Sequence, residues 1–281
     1  MPTARLGLVI MIFFPLLVVA VQFAAGSGSL GSGGRIGIFA NPNNAGLYAV
    51  ALLAFFTVLR NNKVCSPIVY LGVGFLFGTL GLAMSVVLAL LLSTGRAIHF
   101  FTSVLFLSLI IAISVFIPDL GNSLRIKPVL DSIMLLSSGR IDIETVTYGQ
   151  LVQLLNTTDL SFLFRLKHWH NIMSIFANGN GLEWIFGFGS GATVQLSLAH
   201  LVPHNDYIRM LFEFGLVSFV GFLILILSIV FGIGRSWLLV PFLSVAIYFG
   251  TENLINNYIA MILFFFSAGA LISQKPSQVT A

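Results

Sequence analysis

No acidic residue precedes Asp119 in this chain of 281 residues. Apolar runs fill most of that stretch, at about 6–25, 45–59, 66–92 and 97–117, and they resume at 210–233 and 237–273. Several reach the roughly 20 residues a helix needs to cross a bilayer. They are continuous rather than alternating, which argues against a transmembrane barrel. Hydrophobic residues make up 58% and charged residues 8%, where a soluble domain carries about 25% charged. So few charges cannot cover a water-soluble domain. An ordinary cytosolic enzyme, a disordered chain and a nucleic-acid-binding module are thereby excluded. The expected fold is an all-α polytopic membrane protein.

Placement of the charges divides the chain. Eight of the nine acids lie from Asp119 to Glu213, and only Glu252 falls outside. We therefore expect N-terminal membrane helices over 1–117, a hydrophilic loop region with short helices over 118–206, and C-terminal membrane helices over 207–281. The run at 6–25 reads as an uncleaved signal-anchor helix. The polar sequence GTENLINN at 250–257 predicts two short helices around a hairpin within the last run. Arg60, Lys63 and Arg235 form short basic turns that the positive-inside rule assigns to the cytoplasm. The runs between them number three, whereas two cytoplasmic turns need an even number. One run is then a re-entrant hairpin, or the loop hides an inserted segment such as 146–164. A single Cys65 allows neither an internal disulfide nor a cysteine metal cluster. The net charge of +4 reads as topology rather than as affinity for nucleic acid.

Four local patterns carry chemistry. The first is RIGIFANPNNAG, from Arg35 to Gly46, with Asn43 inside it. The second is Ser93-Thr94-Gly95-Arg96 at a span end. The third is Arg165-Leu166-Lys167-His168-Trp169, followed by the glycine turn Gly187, Gly189 and Gly191. The fourth is His204-Asn205-Asp206-Tyr207, followed by Glu213-Phe214-Gly215 at the start of a span. In this order, clearest from about 93 to 222, the set resembles the bacterial O-antigen ligase and O-antigen polymerase superfamily. Gly95-Arg96 stands where that family has Ser-Arg, and the chain is short at the N-terminal side.

The resemblance implies a glycosyltransferase C-like helical bundle with one large extracytoplasmic loop, in the bacterial inner (cytoplasmic) membrane. It implies transfer of a glycan from a polyprenyl-diphosphate carrier to a hydroxyl of lipid A–core, or to a growing carrier-linked glycan. His204, Arg96 and Arg165 are the catalytic residues it implies. Arg35, Asn43, Asn205, Trp169 and Glu213 would line the substrate site. The expected partners are the lipid-linked glycan, its lipid or glycan acceptor, and membrane lipid. No cofactor and no metal is expected.

The physical logic runs the same way. A departing diphosphate develops negative charge, and Arg offers a planar, permanently ionised fork to phosphate. A sugar hydroxyl needs a base, and His titrates in the useful range. Each residue also has a structural reading. Arg35 and Arg96 could anchor span ends at the interface. Asn205 or Asp206 could cap a helix. Glu213 could orient His204 or pair with Arg209 four residues earlier. Trp169 and Trp184 could stack on sugars or mark the membrane interface. Asp142 and Glu144 read as a solvated pair. Three rivals stay open: a polymerase, a transporter with ionisable groups along a midplane path, and an inactive remnant.

Overall fold

The computed structural model describes residues 42–59, 80–94, 126–139, 141–155, 160–234 and 237–273, with a few single positions before residue 22 and between 105 and 108. The described residues are all-helical, with no β-strand among them. The expected spans at 6–25 and 97–117, and Arg35 and Arg96 with them, lie outside what can be described. The elements form two compact units.

One unit contains α1 (Pro42–Leu59), α2 (Leu80–Thr94), α9 (Val240–Tyr248) as far as Ile247, and α10 (Tyr258–Ser273). α1 and α10 pack together along most of their length. Small residues permit the approach: Ala45, Ala49, Ala51 and Ala54 are buried on α1, and Ala260, Ser267 and Ala268 on α10. The buried serines satisfy their hydroxyls within their own helices, Ser267 on Leu263 O at 2.6 Å and Ser244 on Val240 O at 2.7 Å. The other side of α10 leaves Tyr258, Ile259, Ile262 and Phe266 exposed. A helix apolar on both faces belongs in a large core or in lipid. α9 and α10 flank residues 249–257, where the polar interruption predicts a break.

The second unit is built on α5 (Ser161–Ala177). Before it come the short amphipathic helices α3 (Ile126–Ser137) and α4 (Tyr148–Leu155). After it come α6 (Gly181–Phe186), α7 (Ala192–Leu196) and α8 (Asp206–Ile233), of which Asp206–Ser228 belongs here. At about 1.5 Å per residue, α4 is far shorter than the roughly 30 Å hydrocarbon core. It covers only part of the segment 146–164, of which residues 156–159 lie outside the described residues. Leu163 of α5 packs with Val146 and Leu151 in one small core. Ile172, farther along, packs with Ala192 and Phe212 in another. Residues 248–255 complete the unit.

α8 is the one helix among the described residues that is long and apolar enough to cross a membrane. Gly215 breaks it with φ 74° and ψ −178°. The apolar part, Leu216–Ile233, spans about 27 Å, close to one bilayer core. At the break two glycine segments lie backbone to backbone. Phe188 N donates to Phe212 O at 2.9 Å and Gly189 N to Glu213 O at 3.0 Å. The Phe188 and Phe212 rings stack with centroids 4.7 Å apart. A Cβ on Gly215 would run into the Ile185 carbonyl, and one on Gly187 into the Glu213 carbonyl. Both glycines also have positive φ, where an L side chain is strained.

Gly215→Ala and Gly187→Ala are therefore expected to destabilise the protein by about 2 kcal/mol or more, from backbone strain plus overpacking. Gly221 faces open space on the same helix. Gly221→Ala should match or slightly exceed the wild type, and thermal melts of the three variants in detergent check the contrast.

Candidate functional site

α5 presents Arg165, His168 and Trp169 about one turn apart; His168 and Trp169 reach the chain that follows α7, and Arg165 reaches Glu252. His168 is buried and donates through Nε2 to Leu201 O at 2.9 Å; a carbonyl can only accept, which sets the tautomer. The Trp169 indole N–H donates to Pro203 O. Asn171 Oδ1 accepts from Leu198 N at 3.0 Å. Three side chains of one helix thus hold residues 198–203 by their backbone.

The held segment ends at His204, whose φ is 49°. His is among the few side chains that visit this left-handed region. Its placement there turns the imidazole away from the path of α8. Asn205 is the α8 cap, accepting from Ile208 N at 3.0 Å. Asp206, fully buried, does not cap its own helix. Its Oδ2 accepts from Leu254 N at 2.6 Å and Ile255 N at 3.1 Å, and its own N–H donates to Phe249 O at 2.8 Å. The turn at 249–255 is thereby fixed to the start of α8. Thr251 N and Glu252 N both donate to Tyr248 O, at 3.0 and 3.1 Å.

The result is a carboxylate shared by a cation and an imidazole. Glu252 Oε1 lies 2.5 Å from Arg165 Nη2, and Glu252 Oε2 lies 3.2 Å from His204 Nδ1. The Glu252 side chain is 7% exposed, Arg165 27% and His204 39%. The carboxylate is thus buried behind two reachable partners. Because Nδ1 faces a carboxylate, it carries the proton of the neutral ring, and Nε2 keeps its lone pair for another group.

The other expected residues fall as follows. Arg165 and His204 meet through Glu252, and Trp169 and Asn205 hold the segment that presents His204. Glu213 is fully buried and not brought to His204. Its oxygens go to Arg209 Nε at 3.1 Å and to the Thr193 hydroxyl. Asn43 is the second residue of α1, half-buried, in the other unit. Arg35 and Arg96 lie outside the described residues. Trp184 donates its indole N–H to Phe176 O at 2.7 Å. Lys167 is spent on the carbonyls of Ile143 and Glu144, at 2.8 and 2.7 Å. Asp142 turns back on its own loop, accepting from Glu144 N and from the Thr145 hydroxyl. Among the described residues no three His, Cys, Asp or Glu side chains group as a metal set.

Glu252 is the residue that sequence reasoning missed. Its signal was present: it is the single acid outside the 119–213 cluster, set in the polar interruption of an apolar run. Nothing in the sequence says which cation it meets, because the pairing spans 87 residues. No family model, curated protein or solved structure matches the chain.

Burial holds the His168 imidazole below its ordinary range, and the charge of His204 adds to this, while the Leu201 carbonyl opposes it. The unfolded chain binds a proton below about pH 6.5, whereas folded His168 resists it. Its contribution to stability is complete above that pH and is lost as pH falls toward the folded value. Asp206 works in the opposite sense over the same window, because burial pushes its carboxyl up to about 6 and the folded state then gains from protonation as pH falls, so the His168 part is read from the difference between wild type and variant between pH 7 and pH 5.5. His168→Gln, which keeps a donor for Leu201, should gain melting temperature relative to the wild type as pH falls; paired melts at several pH values measure the difference.

Proposed function

We propose that this chain is a polytopic glycosyltransferase of the bacterial inner membrane. It moves a glycan from a polyprenyl-diphosphate carrier to a hydroxyl acceptor at the outer face. The observation that carries the reading is the meeting of Arg165 and His204 through the buried Glu252. A phosphate-matched cation and an oriented base are the two groups this transfer needs.

In this reading the acceptor O–H gives its proton to His204 Nε2. The acceptor oxygen bonds to the anomeric carbon, and the bond from that carbon to the diphosphate oxygen breaks. The electron pair leaves on the diphosphate, where Arg165 takes up the developing charge. Removing one such preorganised donor typically costs about 10²- to 10³-fold in rate. The motif resemblance alone assigns Arg96 to the diphosphate as a second guanidinium, and Arg35 and Asn43 to substrate binding. The guanidinium groups supply the electrostatic part, so the scheme calls on no metal and no cofactor. Trp169 and Asn205 act by holding His204.

Membrane insertion rests on the apolar runs and on exposure. Less than a quarter of the most apolar stretch of α8 is buried, and Val217, Ile224 and Phe231 on it are 61%, 58% and 76% exposed. A core helix of a soluble protein would be covered. Lipid is the solvent that suits such a surface, and the helices of the other unit are apolar as well. Arg165 and His204 lie in the hydrophilic stretch and Glu252 in the polar interruption at 250–257, which favours chemistry at the surface over a transport path through the midplane.

The test is reconstitution in liposomes with a polyprenyl-diphosphate-linked oligosaccharide, with and without lipid A–core. Glycan on lipid A–core marks a ligase, and a lengthening ladder on the carrier marks a polymerase. His204→Asn keeps a residue that tolerates positive φ and should lower turnover by roughly 10²- to 10⁴-fold. Wild-type turnover in that variant would remove His204 from the chemistry.

A further inference from the structure

Glu252 has two oxygens and two partners, and the partners belong to different halves of the proposed reaction. Arg165 is the donor's cation, and His204 is the acceptor's base. Both are partly exposed, at 27% and 39%, whereas Glu252 is 7% exposed. Solvent therefore cannot take over from either partner. The other charged or titratable groups close by are His168 on α5, whose buried ring interacts with His204, and Asp206 on α8, which interacts with Glu252. Asp206 is committed to the amides of Leu254 and Ile255, so it cannot stand in for Glu252. The turn that carries Glu252 is pinned at Phe249 and at 254–255, so the carboxylate cannot follow a departing partner.

From this geometry we infer that Glu252 couples the two halves: an anion of the diphosphate class that draws Arg165 away leaves the buried carboxylate dependent on His204 and makes the imidazole a stronger proton acceptor. The inference rests on the function proposed above and adds its order of events. A buried carboxylate that loses its cation is strongly disfavoured unless another positive charge replaces it. The group within reach is the His204 ring, whose Nδ1 already faces Oε2. Protonation at Nε2 turns the ring into an imidazolium beside Glu252. The proton comes from the acceptor hydroxyl, so the base is strengthened when a donor is in place. Glu252 touches neither substrate in this scheme and is a positioning residue.

The experiment uses the full chain in nanodiscs, labelled with ¹⁵N-histidine and titrated with inorganic pyrophosphate as the probe. Binding is read by ³¹P NMR, and the His204 signals are assigned by their loss in His204→Asn. In the wild type, pyrophosphate is expected to bind and to raise the pH at which the His204 nitrogens pass from the neutral to the imidazolium position, read by titrating with and without the probe. In Glu252→Gln pyrophosphate should still bind, with no His204 response. Turnover in the liposome assay should drop by up to about 10⁴-fold, as when an orienting carboxylate is lost from a histidine site. Arg165→Ala leaves Glu252 with His204 alone, so its His204 nitrogens should stand shifted toward the imidazolium position before any pyrophosphate is added, which keeps the test available if Glu252→Gln does not fold. Binding without a His204 response in the wild type would overturn the coupling and leave the diphosphate site standing. An equal response in Glu252→Gln would overturn the role of Glu252. No pyrophosphate binding by the wild type would overturn the diphosphate site, and the coupling with it.

Discussion

Asp206 is fully buried, and its Oδ2 accepts from the backbone amides of Leu254 and Ile255. The arrangement ties the first turn of α8 to a turn almost fifty residues later. Losing the partners of a buried acceptor costs about 1–3 kcal/mol, so the two amide bonds to Oδ2 favour this register. That register puts Glu252 beside His204, which lies two residues before Asp206. The cluster of Arg165, Glu252 and His204 is thus a consequence of a structural carboxylate that takes no part in it.

α5 supplies the complementary constraint. Its buried residues Leu163 and Ile172 sit in two separate cores, so the helix cannot slide or rotate without opening both. With the helix fixed, Asn171, His168 and Trp169 hold residues 198–203 by backbone groups alone. Such anchoring specifies where the chain runs and leaves the side chain of His204 for other work. The left-handed φ of His204 is strain of the kind that accumulates at functional positions, and it is overdetermined here by anchors on either side.

The glycine clasp joins this chemistry to the apolar part of α8. Gly187 and Gly215 approach so closely that neither tolerates a Cβ, and the hydrogen bonds of Phe188 and Gly189 run across the contact. The sequence places a glycine turn and a Glu-Phe-Gly segment 26 to 28 residues apart, and in the folded unit the two meet as a backbone joint. Glu213, enclosed by Arg209 and Thr193, neutralises the inner side of the same joint.

Composition and periodicity alone determined the helical class, the division into apolar and hydrophilic stretches, the break at 250–257, and the capping role open to Asn205. These follow from local rules: side-chain volume and polarity set where a helix can run, and a polar cluster or a left-handed glycine sets where it stops. The motif order also singled out Arg165 and His204. Tertiary structure decided the rest. It gave Glu213 to Arg209 rather than to His204, turned Asp206 from a cap into a long-range clamp, and made Glu252 the centre of the cluster. Such pairings are decided by which distant backbone closes over which charge, and that depends on packing across many tens of residues.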